Sequence, residues 1–157
     1  MFSWVDRFTV KDENGHDKYR AEGEFFSFGK KLHIYDMAGM ERALIQEKVF
    51  SFLPRFFVFV GGQQVAEIVK ELTFLRQKYR IDGLGWKING DFWAHNYEIV
   101  QNGRIIVTIH KQWMTWGDCY ELDIADERDE IAALAVVLAI DCVIAASSSS
   151  SNAGAGN

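Results

Sequence analysis

The chain reads as a mainly β domain, a closed antiparallel barrel of about twelve strands around a buried, apolar C-terminal helix. Three observations predict it. Fifteen of the sixteen residues from Ile131 to Ala146 are apolar, the exception being Asp141. A helix without a polar stripe belongs in a core or a bilayer, and this one, roughly 24 Å long, is short for a span of about 30 Å. Ahead of it the chain is a series of short runs, many alternating apolar and polar, separated by glycine turns. Finally, eight strands leave a barrel just enough room for its own side chains, so enclosing a helix about 10 Å wide needs more, and about twelve are on offer.

Bulk properties agree with one ordered domain. The chain has 157 residues, 48% hydrophobic and 14% aromatic, with a single proline. That is long enough to bury about two-thirds of its unfolded surface. A net charge of −5 argues against a general nucleic-acid binder, which needs clustered Lys and Arg. Cys119 and Cys142 suit a reducing compartment better than a disulfide framework.

Taken in order, Met1-Phe2-Ser3-Trp4-Val5-Asp6-Arg7 lacks the basic and then apolar pattern of a signal peptide, and the expected location is the cytoplasm. Asn14-Gly15, Asn89-Gly90 and Asn102-Gly103 are two-residue hairpin signals, because a type I′ turn needs positive φ at both central positions. Gly39 and Gly61-Gly62 mark further turns. Leu32 and Ile34 alternate with Lys31, His33 and Tyr35, as Ile105, Val107 and Ile109 do with Arg104, Ile106, Thr108 and His110. Tyr120, Leu122 and Ile124 oppose Cys119, Glu121 and Asp123. Each set describes a half-buried strand. Phe56-Phe57-Val58-Phe59-Val60 is continuously apolar and is expected to be covered on both faces. Val65 to Lys78 has helix-compatible composition, but its helical stripe is short and its neighbours are β-rich, so strands are expected. The domain spans 1–146 with the helix over about 127–146, and the Ser/Gly-rich tail 147–157 is expected to be disordered.

The motifs Phe8-Thr-Val-Lys-Asp12, Gly29-Lys30-Lys31-Leu32-His33-Ile34-Tyr35-Asp36, Gly90-Asp91-Phe92-Trp93 and Gly117-Asp118-Cys119-Tyr120-Glu121-Leu122 occur in order and end in Ile140-Asp141-Cys142. In this they resemble the LURP-one-related (YxjI-like) family over residues 1–146. The resemblance implies the tubby C-terminal-like superfamily, related to the phospholipid scramblases, whose fold is a twelve-stranded barrel around a hydrophobic helix. It implies no activity.

Four groups of residues could carry function. Arg76, Lys78 and Arg80 are spaced by two, so on a strand they share one face and could hold a phosphorylated headgroup, or else simply solvate it. Tubby-like domains are similar in binding phosphoinositides through basic surface residues. Asp123, Asp126, Glu127, Asp129 and Glu130 precede the helix; they lack the order of a calcium loop and suit helix capping, with Asp126 as N-cap. Asp141 is a structural hydrogen-bonding group or a buried site with a raised pKa. Trp86, Trp93, Trp113 and Trp116, with Phe92 and Tyr97, line a groove or pack the core. Four scattered histidines, two cysteines, and no GxSxG or P-loop leave no catalytic constellation.

The expectation is therefore a non-enzymatic binding domain with no cofactor and no metal. Its ligand would be a phosphoinositide or other anionic lipid headgroup held by Arg76, Lys78 and Arg80, at the membrane periphery. An interaction module with a protein partner is the alternative, and scramblase-like lipid handling a second one. Neither nucleic acid nor a stable membrane span is expected.

Overall fold

A computed structural model describes residues 7–26, 29–74, 78–91, 96–114 and 117–152, with side chains excepted at 25, 26, 91, 111–114, 117–120 and 150–152. Among the described residues eleven strands are followed by one helix. The first sheet takes its seven strands in chain order: β1 (Arg7–Lys11), β2 (Asp17–Phe26), β3 (Gly29–Asp36), β4 (Glu41–Glu47), β5 (Arg55–Val60), β6 (Gln63–Glu71) and β7 (Lys78–Asp82). The second sheet has four: β8 (Trp86–Asp91), β9 (Asn96–Gln101), β10 (Arg104–Met114) and β11 (Gly117–Ile124). Every ladder is antiparallel between neighbours in sequence.

Helix α1 (Glu130–Asn152) runs along the inner faces and packs above all on β4, β5 and β6. Ala133 through Ile140 are buried without interruption, against Ile45, Phe56, Val58 and Ile68. Each fully buried Ile or Val here contributes about 1.5–3 kcal/mol through the hydrophobic effect. By length and composition alone the helix could cross a bilayer, with a mean hydropathy of 2.3, but it is enclosed by strands.

Several expectations need correction. Among the described residues no ladder joins β7 to β8 or β1 to β11, so the strands form two sheets and not a closed barrel of about twelve. The β7–β8 connection explains one seam. Gly83, Leu84 and Gly85 all have positive φ, 106°, 61° and 66°, which turns the chain out of the β7 ladder instead of folding it straight back. Asn89-Gly90 is not a turn but lies within β8, where Gly90 lets the backbone of Tyr97 approach; a Cβ would meet its Cα at 3.0 Å. Alternation in β10 breaks at a bulge between Ile105 and Val107, leaving Ile105 exposed. Phe57 and Phe59 are only half-buried, on the outer face of β5, packed edge to face at 6.4 Å.

Other expectations hold. Strands occupy Gln63–Glu71 and Lys78–Asp82, and Asn102-Gly103 makes the predicted turn with φ of 50° and 74°. The tail departs from its expectation: the helix continues past Ala146 to Asn152, so 147–152 is helical and not disordered. The hydroxyls of Ser147, Ser148 and Ser149 donate to the carbonyls of Val143, Ile144 and Ala145 at 2.7, 3.1 and 3.1 Å, the i−4 back-bond by which serine satisfies its own hydroxyl inside a helix.

Candidate functional site

Strand direction sorts the connections into two ends. Turns 12–16, 37–40, 61–62, 83–85 and 102–103 lie at one end; connections 48–54 and 72–74 lie at the other. Glu130 at the start of α1 fixes which is which. It accepts from Lys18 Nζ at 2.7 Å and Tyr19 Oη at 2.6 Å, both at the start of β2, so α1 begins at the turn end and runs toward the other. Burial, then the bond to Glu130, pushes the Tyr19 phenol up to about 12.

The predicted basic face falls on β7. Its burial alternates strictly, with Tyr79 and Ile81 inward and Lys78 and Arg80 exposed. The strand therefore puts Lys78 and Arg80 on one face, as their spacing requires. Arg76 lies outside the described residues. Arg80 is not an open cation: its guanidinium donates to Glu71 Oε1 at 2.7 Å and to both oxygens of Asp82 at 2.6 and 3.0 Å. Those bonds hold the Asp82 carboxyl below its usual value despite some burial. Lys78 and neighbouring Lys70 make no ion pair among the described residues, and both stand where β6 ends and β7 begins. Lys48 stands over the Phe57 ring at 5.6 Å, and Arg55 reaches Glu67 at 3.3 Å.

The acidic segment does the work of a helix start. Asp126 caps a 3-10 turn, Glu127–Asp129, by accepting from the Arg128 amide at 2.9 Å. The Arg128 side chain closes back on the same carboxylate at 2.6 Å and, with that amide, holds it down to about 2. No group of three His, Cys, Asp or Glu side chains among the described residues is arranged to hold a metal ion. Asp141 is half-buried, next to the fully enclosed Cys142, whose thiol is pushed up by burial and then by the Asp141 carboxylate. Trp86 and Tyr97 are core residues. Phe92, Trp93 and Trp116 lie outside the described residues, as does the side chain of Trp113.

Two features escaped the sequence reading. His33, on the outer face of the first sheet, sits between two carboxylates, with Nδ1 at 2.6 Å from Glu41 and Nε2 at 3.0 Å from Glu24. Its alternation with Leu32 and Ile34 signalled the outward face, but not the partners on β2 and β4. The other feature is apolar. Phe50, Phe52, Leu72 and Phe74 are 102%, 91%, 73% and 108% exposed, all in the two connections opposite the turn end. The signal was present as aromatic residues around Pro54, in a stretch that no strand could absorb.

Comparison with known proteins gives two findings. A family model described as LURP-one-related matches residues 1–141. The uncharacterised protein YxjI of Bacillus subtilis (strain 168) is 35% identical over 144 residues, covering 92% of this chain and 89% of that protein. No solved structure matches.

Proposed function

The chain belongs to the LURP-one-related family, and we propose that this member is a non-enzymatic domain that binds the phosphorylated headgroup of an anionic lipid where β6 meets β7. The observation that carries this reading is the contrast within one basic face. Arg80 is neutralised by Glu71 and Asp82, whereas Lys78 keeps its charge available; half-buried Lys70, opposite Tyr79 on the other face of the ladder, adds a cation at the same end. Ammonium groups on flexible stems suit a phosphate that arrives with its own hydration. The sequence motifs resemble the LURP-one-related family, which implies kinship with tubby-like domains; those bind phosphoinositides through basic surface residues, which supports the same ligand class.

The test is co-sedimentation with phosphatidylcholine vesicles, with and without phosphoinositide, at two salt concentrations. A surface lysine is worth about 1 kcal/mol against an anionic membrane. Lys70→Ser with Lys78→Ser is therefore expected to weaken binding roughly 30-fold and flatten its salt dependence. Arg80→Ser, which removes an already paired cation, should change it less than threefold, on the order of a surface ion pair. Equal losses in the two variants would defeat the assignment.

A further inference from the structure

We propose that the end of the wall formed by connections 48–54 and 72–74 penetrates an anionic bilayer, with Phe50, Phe52, Leu72 and Phe74 entering the interfacial layer. This rests on the lipid reading above and adds to it an inserted element with a defined orientation.

The argument starts from what these residues are not needed for. The core beneath this end is already closed by helix residues such as Ile140 and Val143, both at 0% exposure. No turn requirement calls for phenylalanine there; turns are ordinarily built from Gly, Asn, Asp, Ser and Pro. Phe50 even adopts a φ of +63°, a left-handed conformation that is a genuine outlier for a bulky side chain. Strain retained in an exposed loop is a mark of use elsewhere than in folding. The base of that loop is pinned by the Lys48 amide on the Arg55 carbonyl at 2.9 Å, so its tip projects as a unit.

The shape and the charge select the occupant. Three Phe rings at roughly 150–250 Å² each expose several hundred Å² of apolar surface. They stand on two separate tips, not on one flat face, which a fluid interface accepts wedge by wedge. Aromatic side chains are favoured at that depth. Lys70 and Lys78 stand at the foot of connection 72–74, where their stems can lie along inserted rings while the ammonium groups stay among phosphates; Lys48, at the foot of the other, lies over Phe57 and 4.0 Å from Glu67. Glu47 and Glu71 are also here, but Glu71 is taken by Arg80, and Glu47 accepts the Lys30 amide at 3.1 Å. The other end presents Asp12, Glu13, Asp36, Asp126, Glu127 and Asp129, of which Asp36 pairs with Arg42 and Asp126 with Arg128. A chain of net charge −5 would be repelled by an anionic surface unless it turned this basic, apolar end toward it.

The experiment compares three proteins: the parent, Phe50→Ser/Phe52→Ser/Phe74→Ser, and Lys70→Ser/Lys78→Ser. Each is assayed on phosphatidylcholine–phosphatidylserine vesicles and for insertion into a monolayer of the same lipids. The Phe variant is expected to lose at least tenfold in vesicle binding and its rise in surface pressure, with the parent's melting temperature retained. Vesicle binding by the Phe variant as tight as the parent's would overturn penetration and leave the headgroup reading standing. Loss in the Phe variant with full binding in the Lys variant would uphold penetration and remove the headgroup site. A parent that binds no vesicle, and that sediments as a dimer which the Phe changes dissociate, would assign this end to a second copy and overturn both.

Discussion

At one end of the strand wall, Asp12 and Asp36 close two hairpins with the same set of bonds; at the other, Phe50, Phe52 and Phe74 stand nearly free of the protein. In each turn the aspartate Oδ1 accepts from the amides two and four residues on, at 2.9 Å in the first and 3.0 Å in the second. In each, the glycine amide donates to the aspartate carbonyl at 3.0 Å with a φ of +82°. The backbone amides hold both carboxyls below the ordinary value, His16 and Met40 foremost. Met37 and Met40 are exposed in the second turn without disturbing its bonds, so side chains there are free to vary where backbone geometry is not. The turn end is thus dictated by folding. The loop end carries residues that folding does not ask for.

The largest effect expected from breaking this contrast is at Gly83, on the turn end. It has a φ of +106°, and a Cβ there would collide with the Val65 carbonyl and sit 3.1 Å from the Ala66 Cα. Gly83→Ala should lose about 3 kcal/mol, from left-handed strain together with backbone displacement. Urea unfolding measures it, and the folded fraction should bind vesicles as the parent does. A loss below about 1 kcal/mol would show that this turn is slack.

A smaller pair of effects should carry opposite signs at the two ends. Nothing lies within 4 Å of a Cβ built on Gly15 or Gly39, so an alanine at either meets only the φ penalty, about 1 kcal/mol each, and nearly the same for both. Phe50→Gly removes a comparable strain, partly offset by the freer unfolded chain, and should gain about 0.5 kcal/mol. It should lose vesicle binding at the same time. Stability gained where binding is lost is the pattern of a residue kept for function. A Phe50→Gly variant less stable than the parent would place that side chain among the structural residues.

The same division explains what could be read from residues alone. Asn102-Gly103, Gly39 and the apolar helix were legible because each satisfies a local rule of φ or of periodicity. Asn89-Gly90 satisfied the same rule and misled, since the glycine serves a close approach to Tyr97 on the next strand. The bulge at Ile105 and the seam between β7 and β8 depend on pairing that composition does not carry. The basic face was legible as a face, through its spacing of two. That Arg80 is spent on Glu71 was not, because the partner lies nine residues away across a ladder. Phe50 and Phe74 were visible only as aromatic residues, and became distinctive once their exposure was known.

His33 tests whether the two ends are independent, for Glu24 approaches it from the loop side and Glu41 from the turn side. Burial alone would lower its pKa, but hydrogen bonds to Glu41 and Glu24 and the two charges raise it above the ordinary histidine value. Tyr35 stacks on the ring at 5.9 Å, with Arg20 over Tyr35 and Glu22 beside them. A raised folded pKa means that the clamp's stabilisation is complete below the unfolded value near 6.5 and is lost as pH rises through the folded one. For partly exposed pairs the loss is about 0.5 kcal/mol, or roughly 1–2 °C in melting temperature. Calorimetry across that window should show it in the parent and not in Glu24→Gln/Glu41→Gln. Vesicle binding should stay constant over the same pH range, because the titrating group lies between the ends and touches neither Lys78 nor the exposed phenylalanines. Affinity that fell together with the melting temperature would mean that the loop end borrows its conformation from the sheet behind it, and the independence of the two ends would be lost.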